Sequence, residues 1–231
     1  WSGIGAAAFI APFLLVDLTF LSANMLKVAE GGYIPLLLGL GLILVMWTWT
    51  RGTAMVAAKF RHGAVSLTEM ARMLERSKPF RVPGTAVYLT SDPTIAPSAL
   101  LHNLKHNRVL HQRNIVLTIR ASDQPYVPEA ETVSVTVVSE DVTRIVAKLG
   151  YMETPSVPRI LVQARMHGVT FDIMQTSFFL ARFQVKSAKP SALPFWQHLI
   201  FTGLARFAND ATDSFEIPSG RVVWLGGQIK I

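Results

Sequence analysis

Asp17 is the residue whose chemistry asks for explanation first. Trp1 to Val16 carries no charge, and apolar character resumes from Leu18 to Leu26. A carboxylate at membrane depth is costly unless it is protonated, paired or reached by water, and it commonly faces a bundle interior or a pathway. Asn24, seven residues on, falls on the same helical face, with Thr19 and Ser22 less closely aligned. Asp17 and Asn24 are therefore the candidates for an ion or proton route. The competing reading is that Asp17 only satisfies a polar group on a helix outside this sequence. The residues leave both readings open.

Elsewhere the chemistry is sparse. His102 and His106 stand four apart on one expected helix, a spacing that can hold a metal. They lie opposite the Leu100, Leu101, Leu104 stripe with no neighbouring carboxylate, so a solvated polar face is expected. A phosphate cradle needs glycines where backbone N–H groups approach the anion. No glycine occurs between Thr85 and Leu149, so Thr90-Ser91-Asp92-Pro93 is not a loop of that kind. A nucleotide held at the following helix N-terminus by other contacts stays open. There is no G-x-S-x-G elbow and no H-E-x-x-H. With no cysteine in the chain, disulfides, thiolate zinc sites and a Cys nucleophile are excluded together. No catalytic, cofactor-binding or metal-ligating residue is assigned, and neither an enzyme nor a cofactor is expected.

The elements that must position Asp17 follow from charge. The 231 residues are 50% hydrophobic and only 16% charged, against roughly 25% in soluble chains. Residues 1–50 hold three charges, Asp17, Lys27 and Glu30. Gly31 to Thr50 holds none, and as a helix it spans about 30 Å, the thickness of a bilayer core. Trp47 and Trp49 mark its interfacial end, and Arg51 follows. Two membrane helices joined by a tight turn at Lys27–Gly32 are predicted. A signal peptide fits the first poorly, since a basic leading region is missing. The absent initial Met suggests a fragment without its N-terminal part. Residues 51–84 carry seven Lys/Arg against Glu69 and Glu75, which places everything after about residue 50 in the cytoplasm. That basic cluster is read as attraction to anionic headgroups of the lipid bilayer, not as nucleic-acid binding.

Beyond the membrane, Ser66-Leu67-Thr68-Glu69 forms a capping box for a helix to about Ser77. Pro79 and Pro83 are expected to break the chain. Strands are predicted at Thr85–Leu89, Ile115–Ile119, Thr132–Val138, Phe178–Phe183 and Arg221–Ile231. Helices are predicted from Pro97 to Asn107, from Ser156 to Gly168, and after Pro194, where Trp196, Leu199, Ile200, Leu204 and Phe207 recur at helical spacing. Strands alternating with helices indicate an α/β domain with a mixed sheet. The resulting division is residues 1–50 for two transmembrane helices (about 4–26 and 33–50), 51–84 for a basic juxtamembrane helix and linker, and 85–231 for a cytoplasmic α/β domain.

Several stretches resemble the Kup-type potassium uptake permeases, the KUP/HAK/KT family. They are D-L-T-F-L-S-A-N-M-L-K-V-A-E-G-G-Y-I-P-L (Asp17 to Leu36), G-T-A-V-Y-L-T-S-D-P (Gly84 to Pro93), A-L-L-H-N-L-K-H-N-R-V-L-H-Q-R-N (Ala99 to Asn114), P-Y-V-P (Pro125 to Pro128), F-F-L-A-R (Phe178 to Arg182) and R-V-V-W-L-G-G-Q-I-K-I (Arg221 to Ile231). Trp224 stands where an acidic residue is usual. The resemblance implies a potassium:proton symporter of the LeuT-like kind, multi-pass in the cell membrane (bacterial inner membrane). This chain would be its last two helices and cytoplasmic domain. Potassium and proton would then be bound by helices absent from this sequence. A homodimer through the cytoplasmic domain is a further partner expectation. A membrane-anchored regulatory or sensor domain without transport of its own is the alternative.

Overall fold

The computed structural model describes residues 2–61, 63–186, 193–207 and 215–230. The chain divides into two compact units, Trp1–Thr53 and Ala54–Ile231.

In the first unit, α1 runs from Gly3 to Lys27 and opens on Ser2, whose Oγ accepts from the Gly5 N–H at 3.3 Å. Helix α2 begins at Tyr33 and continues to Arg61. Both are long and apolar enough to cross a membrane. Between them, Val28–Gly32 keeps a wide helical turn that kinks at Gly31, whose φ of 126° belongs to glycine. A Cβ on Gly32 would meet the Lys27 carbonyl oxygen at 2.9 Å. The expected turn is thus a kinked helical junction. The apolar span predicted to stop at Thr50 belongs to a longer helix. Arg51, Lys59 and Arg61 end its hydrophobicity, but no proline or glycine run breaks its backbone before Gly63. Arg51 stacks over the Trp47 ring at 5.7 Å, as expected at an interface.

The second unit opens with α3 (Leu67–Ser77). Ser66 Oγ accepts from the Glu69 N–H at 3.1 Å, so the predicted capping box is formed from its Ser side. There follow β1 (Phe80–Leu89), α4 (Ser98–Asn107), β2 (Val109–Ser122), α5 (Glu129–Thr132), β3 (Val133–Val137), β4 (Val142–Gly150), α6 (Val157–Arg165), β5 (Thr176–Lys186), α7 (Phe195–Phe207) and β6 (Val222–Lys230). Among the described residues the strands form one six-stranded sheet ordered β3-β4-β2-β1-β5-β6. All pairs are parallel except β3 with β4, so the sheet is mixed, as the sequence indicates.

Apolar runs in the central strands serve both faces, because successive side chains point to opposite sides. Val87, Leu117 and Phe178 meet Val157, Ile160, Leu161 and Ala164 of α6 on one face. Tyr88, Val116 and Phe179 meet Leu67, Met70 and Leu74 of α3, and Ala99 and Leu100 of α4, on the other.

Four features differ from the sequence reading. Pro83 does not stop β1, because β5 joins that side only from Thr85 onward, so no ladder hydrogen bond is lost. Gly84 absorbs the register shift with φ 102°, and a Cβ there would lie 2.7 Å from the Gln175 carbonyl oxygen. Strand β4 is absent from the prediction because Arg144 and Lys148 interrupt its apolar pattern. Ser156 occupies the cap position of α6 without a capping side-chain bond. In α7 the inward residues are Gln197 and Phe201, while Trp196 and Leu199 are 43% and 64% exposed. Ile231, predicted to end the last strand, lies outside the described residues, as does the Phe207 side chain.

Candidate functional site

Helix α1 presents Asp17 and Asn24 on exposed positions of one face. The nearby hydroxyls turn back on the helix: Thr19 Oγ1 donates to the Leu15 carbonyl at 2.8 Å, and Ser22 Oγ to the Leu18 carbonyl. Those two groups are satisfied locally and stay compatible with hydrocarbon. The side chains of Asp17 and Asn24 make no hydrogen bond to another described residue, so they are the polar groups this face offers outward. Seven residues at 1.5 Å each place them about 10 Å apart along the axis. They cannot share one ion's coordination shell. Of the two, only Asp17 has an ionisable side chain.

In the second unit the chain moves from β1 outward through β2 to β4, then returns to the other side of β1 with β5 and β6. That reversal makes the carboxyl ends of β1 and β5 the topological switch point, where sheets of this kind receive ligands. The loop beyond β1 is Thr90 to Pro97. The Asp92 carboxylate accepts from the Thr94 N–H at 2.9 Å and from Thr94 Oγ1 at 2.6 Å. These hydrogen bonds hold the carboxyl below its ordinary range, with help from the Arg120 and Arg61 charges. Helix α4 starts at Ser98 behind Pro97, without a side-chain cap. The glycine-free loop is thus closed by an Asx turn.

His102 is half-buried and His106 exposed on α4, their rings stacked with centroids 5.7 Å apart. Among the described residues no group of three or more His, Asp or Glu is placed to hold a metal. Asn103 between them faces inward, donating to Tyr88 Oη at 3.3 Å and to the Val109 carbonyl at 3.2 Å. Burial raises the Tyr88 hydroxyl far above its usual range.

Sequence reasoning missed one ionic contact. Arg81 is one of the seven basic residues of 51–84, a cluster the sequence assigns to anionic headgroups. It instead donates from Nε and a terminal nitrogen to both oxygens of Asp141, tying the start of β1 to the loop before β4. Sixty residues separate the partners, so no local pattern could have revealed the pair.

Comparison with known proteins matches residues 83–231 to the family described as K+ potassium transporter C-terminal domain. Residues 1–54 match the K+ potassium transporter integral membrane domain. Over all 231 residues the chain is 50% identical to a potassium transport system protein, Kup 3, of Bradyrhizobium sp. (strain BTAi1), covering 36% of that protein. It is 50% identical to Kup 2 of Rhodopseudomonas palustris (strain BisB18), covering 37%, and 46% identical to Kup of Nitrobacter winogradskyi, covering 36%. The chain therefore spans about a third of the length of these relatives, which are named as transporters and not as enzymes. No solved structure matches. Two apolar helices of spanning length, an α/β domain with a mixed sheet, and these two matches in chain order together show that the chain belongs to the K+ potassium transporter family, at a membrane.

Proposed function

We propose that this chain is the C-terminal part of a secondary potassium importer that couples uptake to protons across a bacterial inner membrane. The observation that carries the reading is identity of about 50% with Kup potassium transport proteins along the entire chain. Asp17 supports the proton half. It is an ionisable side chain on a membrane helix with no partner among the described residues, the kind of group that marks ion and proton routes. Potassium is bound by helices outside this sequence, while Asp17 and Asn24 line the route. The excess of Lys and Arg after Thr50 supports a cytoplasmic α/β domain and a Lys27–Gly32 junction on the outside. Lipid is the solvent of α1 and α2. A homodimer through the α/β domain is part of the same proposal.

The test is a chimera in which these 231 residues replace the corresponding third of the Bradyrhizobium Kup 3 protein. It should restore growth at low potassium to a bacterium lacking its own uptake systems, with influx rising as external pH falls. A chimera that reaches the membrane and imports nothing would overturn the reading. Reporter fusions after Phe60 and within Lys27–Gly32 should report inside and outside, and the reverse pattern would overturn the orientation.

A further inference from the structure

We propose that one face of the sheet, over β2, β4 and β3, is a binding site for a phosphate-bearing ligand held by Arg120, Arg144 and Lys148. The strand register places these residues. Between β2 and β4, Val116 pairs with Arg144, Thr118 with Val146, and Arg120 with Lys148. Between β3 and β4, Thr136 pairs with Arg144 and Ser134 with Val146. Register partners share a side of the sheet, as do alternate residues along each strand. Val116 and Val142 belong to the cluster packed with α3 and α4, so their side carries Thr118, Arg120, Ser134, Thr136, Arg144 and Lys148. Leu117, Val133, Ile145 and Ala147 occupy the other side, packed with α6.

The two sides of the same three strands therefore differ. One is apolar and covered; the other presents three cations and three hydroxyls, with no carboxylate at its register positions. Arg120, Lys148, Ser134 and Thr136 are exposed there, and Arg144 is half-buried. Like charges side by side on neighbouring strands repel, as Arg120 and Lys148 do here. Among the described residues these three cations make no hydrogen bond or ion pair. The Asp92 charge reaches Arg120, but that carboxylate is already engaged by Thr94. Thr118 adds a second observation. It stands opposite Val146, between Arg144 and Lys148, and its buried Oγ1 has no partner among the described residues. Ser134 Oγ donates to the Val146 carbonyl at 3.4 Å. A phosphate answers this arrangement, because its oxygens accept from guanidinium, ammonium and hydroxyl donors alike. Arg144 and Lys148 stand about 13 Å apart along the strand, so the face suits a ligand with more than one phosphate group.

The test uses the 231-residue chain in phosphatidylcholine nanodiscs, with inorganic triphosphate as the probe. Binding is followed by calorimetry and by lysine acetylation read residue by residue in a mass spectrometer. At constant ionic strength triphosphate should bind saturably and protect Lys148, while Lys105, exposed on α4, keeps its rate. Arg144→Gln and Lys148→Gln should each weaken binding about tenfold. Thr118→Val should weaken it less and leave the melting temperature undiminished, because an unpaired buried hydroxyl adds nothing to the fold. Arg159→Gln removes an exposed charge on α6, on the other side of the sheet, and should change nothing. Nanodiscs containing phosphatidylglycerol, without triphosphate, separate the two sources of phosphate. Protection of Lys148 in those discs alone assigns the site to lipid headgroups, and protection by triphosphate alone assigns it to a soluble ligand. Absence of protection in both discs would overturn the proposal. Equal losses for Arg144→Gln and Arg159→Gln would do the same, by reducing the effect to net charge.

Discussion

The membrane helices and the α/β domain are stabilised by opposite means. In α1 and α2 nearly every apolar side chain is exposed, Leu37 at 61% for example, and backbone order comes from hydrogen bonds inside each helix. In hydrocarbon surroundings a leucine gains little from any particular apolar neighbour. In the α/β domain Leu161, Tyr88 and Phe178 are fully buried between sheet and helices, and each is held by residues distant in sequence. The difference teaches where single substitutions act. Polarity matters in the first region, and shape matters in the second.

The largest expected effect tests polarity. In the Kup chimera Asp17→Asn should insert and localise normally yet lose about tenfold or more of its potassium influx, because an amide cannot exchange a proton. Asp17→Glu keeps the titrating group and should retain more. Influx at matched membrane levels, followed against pH, decides it. Normal uptake by Asp17→Asn would remove this residue from the mechanism.

Shape comes next. Leu161→Ala should destabilise the α/β domain by about 2–5 kcal/mol, since it empties a fully buried site under α6. Leu37→Ala on the exposed face of α2 should leave that domain's melting unchanged. Denaturant unfolding of the two variants side by side measures the contrast, and equal losses would break it.

A smaller effect separates the two cap residues read from sequence. Ser66→Ala removes a formed bond to the Glu69 N–H and should cost about 1 kcal/mol. Ser156→Ala removes no capping bond and should be close to neutral. Thermal melts resolve the pair, and a larger loss for Ser156→Ala would contradict the geometry.

The smallest effect concerns pH. His111 is half-buried, edge-on to Phe179 with centroids 5.6 Å apart, and its Nδ1 has no partner among the described residues. Burial holds its imidazole below the ordinary range. The unfolded chain therefore takes up this proton first, at about pH 6.5, and stability should decline from there as pH falls. The decline should level off once pH passes below the lower folded value. His111→Phe keeps the ring contact and should flatten that segment of the stability–pH curve; an unchanged curve would assign the slope elsewhere.

The sequence by itself determined the membrane helices, because an uncharged run of spanning length has one stable conformation in hydrocarbon. It also marked Asp17 and Asn24, since isolated polar groups stand out against such a background. The capped helix at Leu67–Ser77 and the central strands were legible for the same reason: their signals lie within a few residues of each other. Tertiary structure alone decided the rest. Strand β4 exists because β2 and β3 pair with it on both sides, which outweighs Arg144 and Lys148 in its pattern. Pro83 sits within β1 because its neighbour on that side begins two residues later. Arg81 found Asp141, and the Val65–Leu67 segment found Thr94–Ala96, only after the chain had folded over distances that no local periodicity encodes. Long-range hydrogen bonds have no sequence spacing of their own, so these two contacts became visible only in the folded chain.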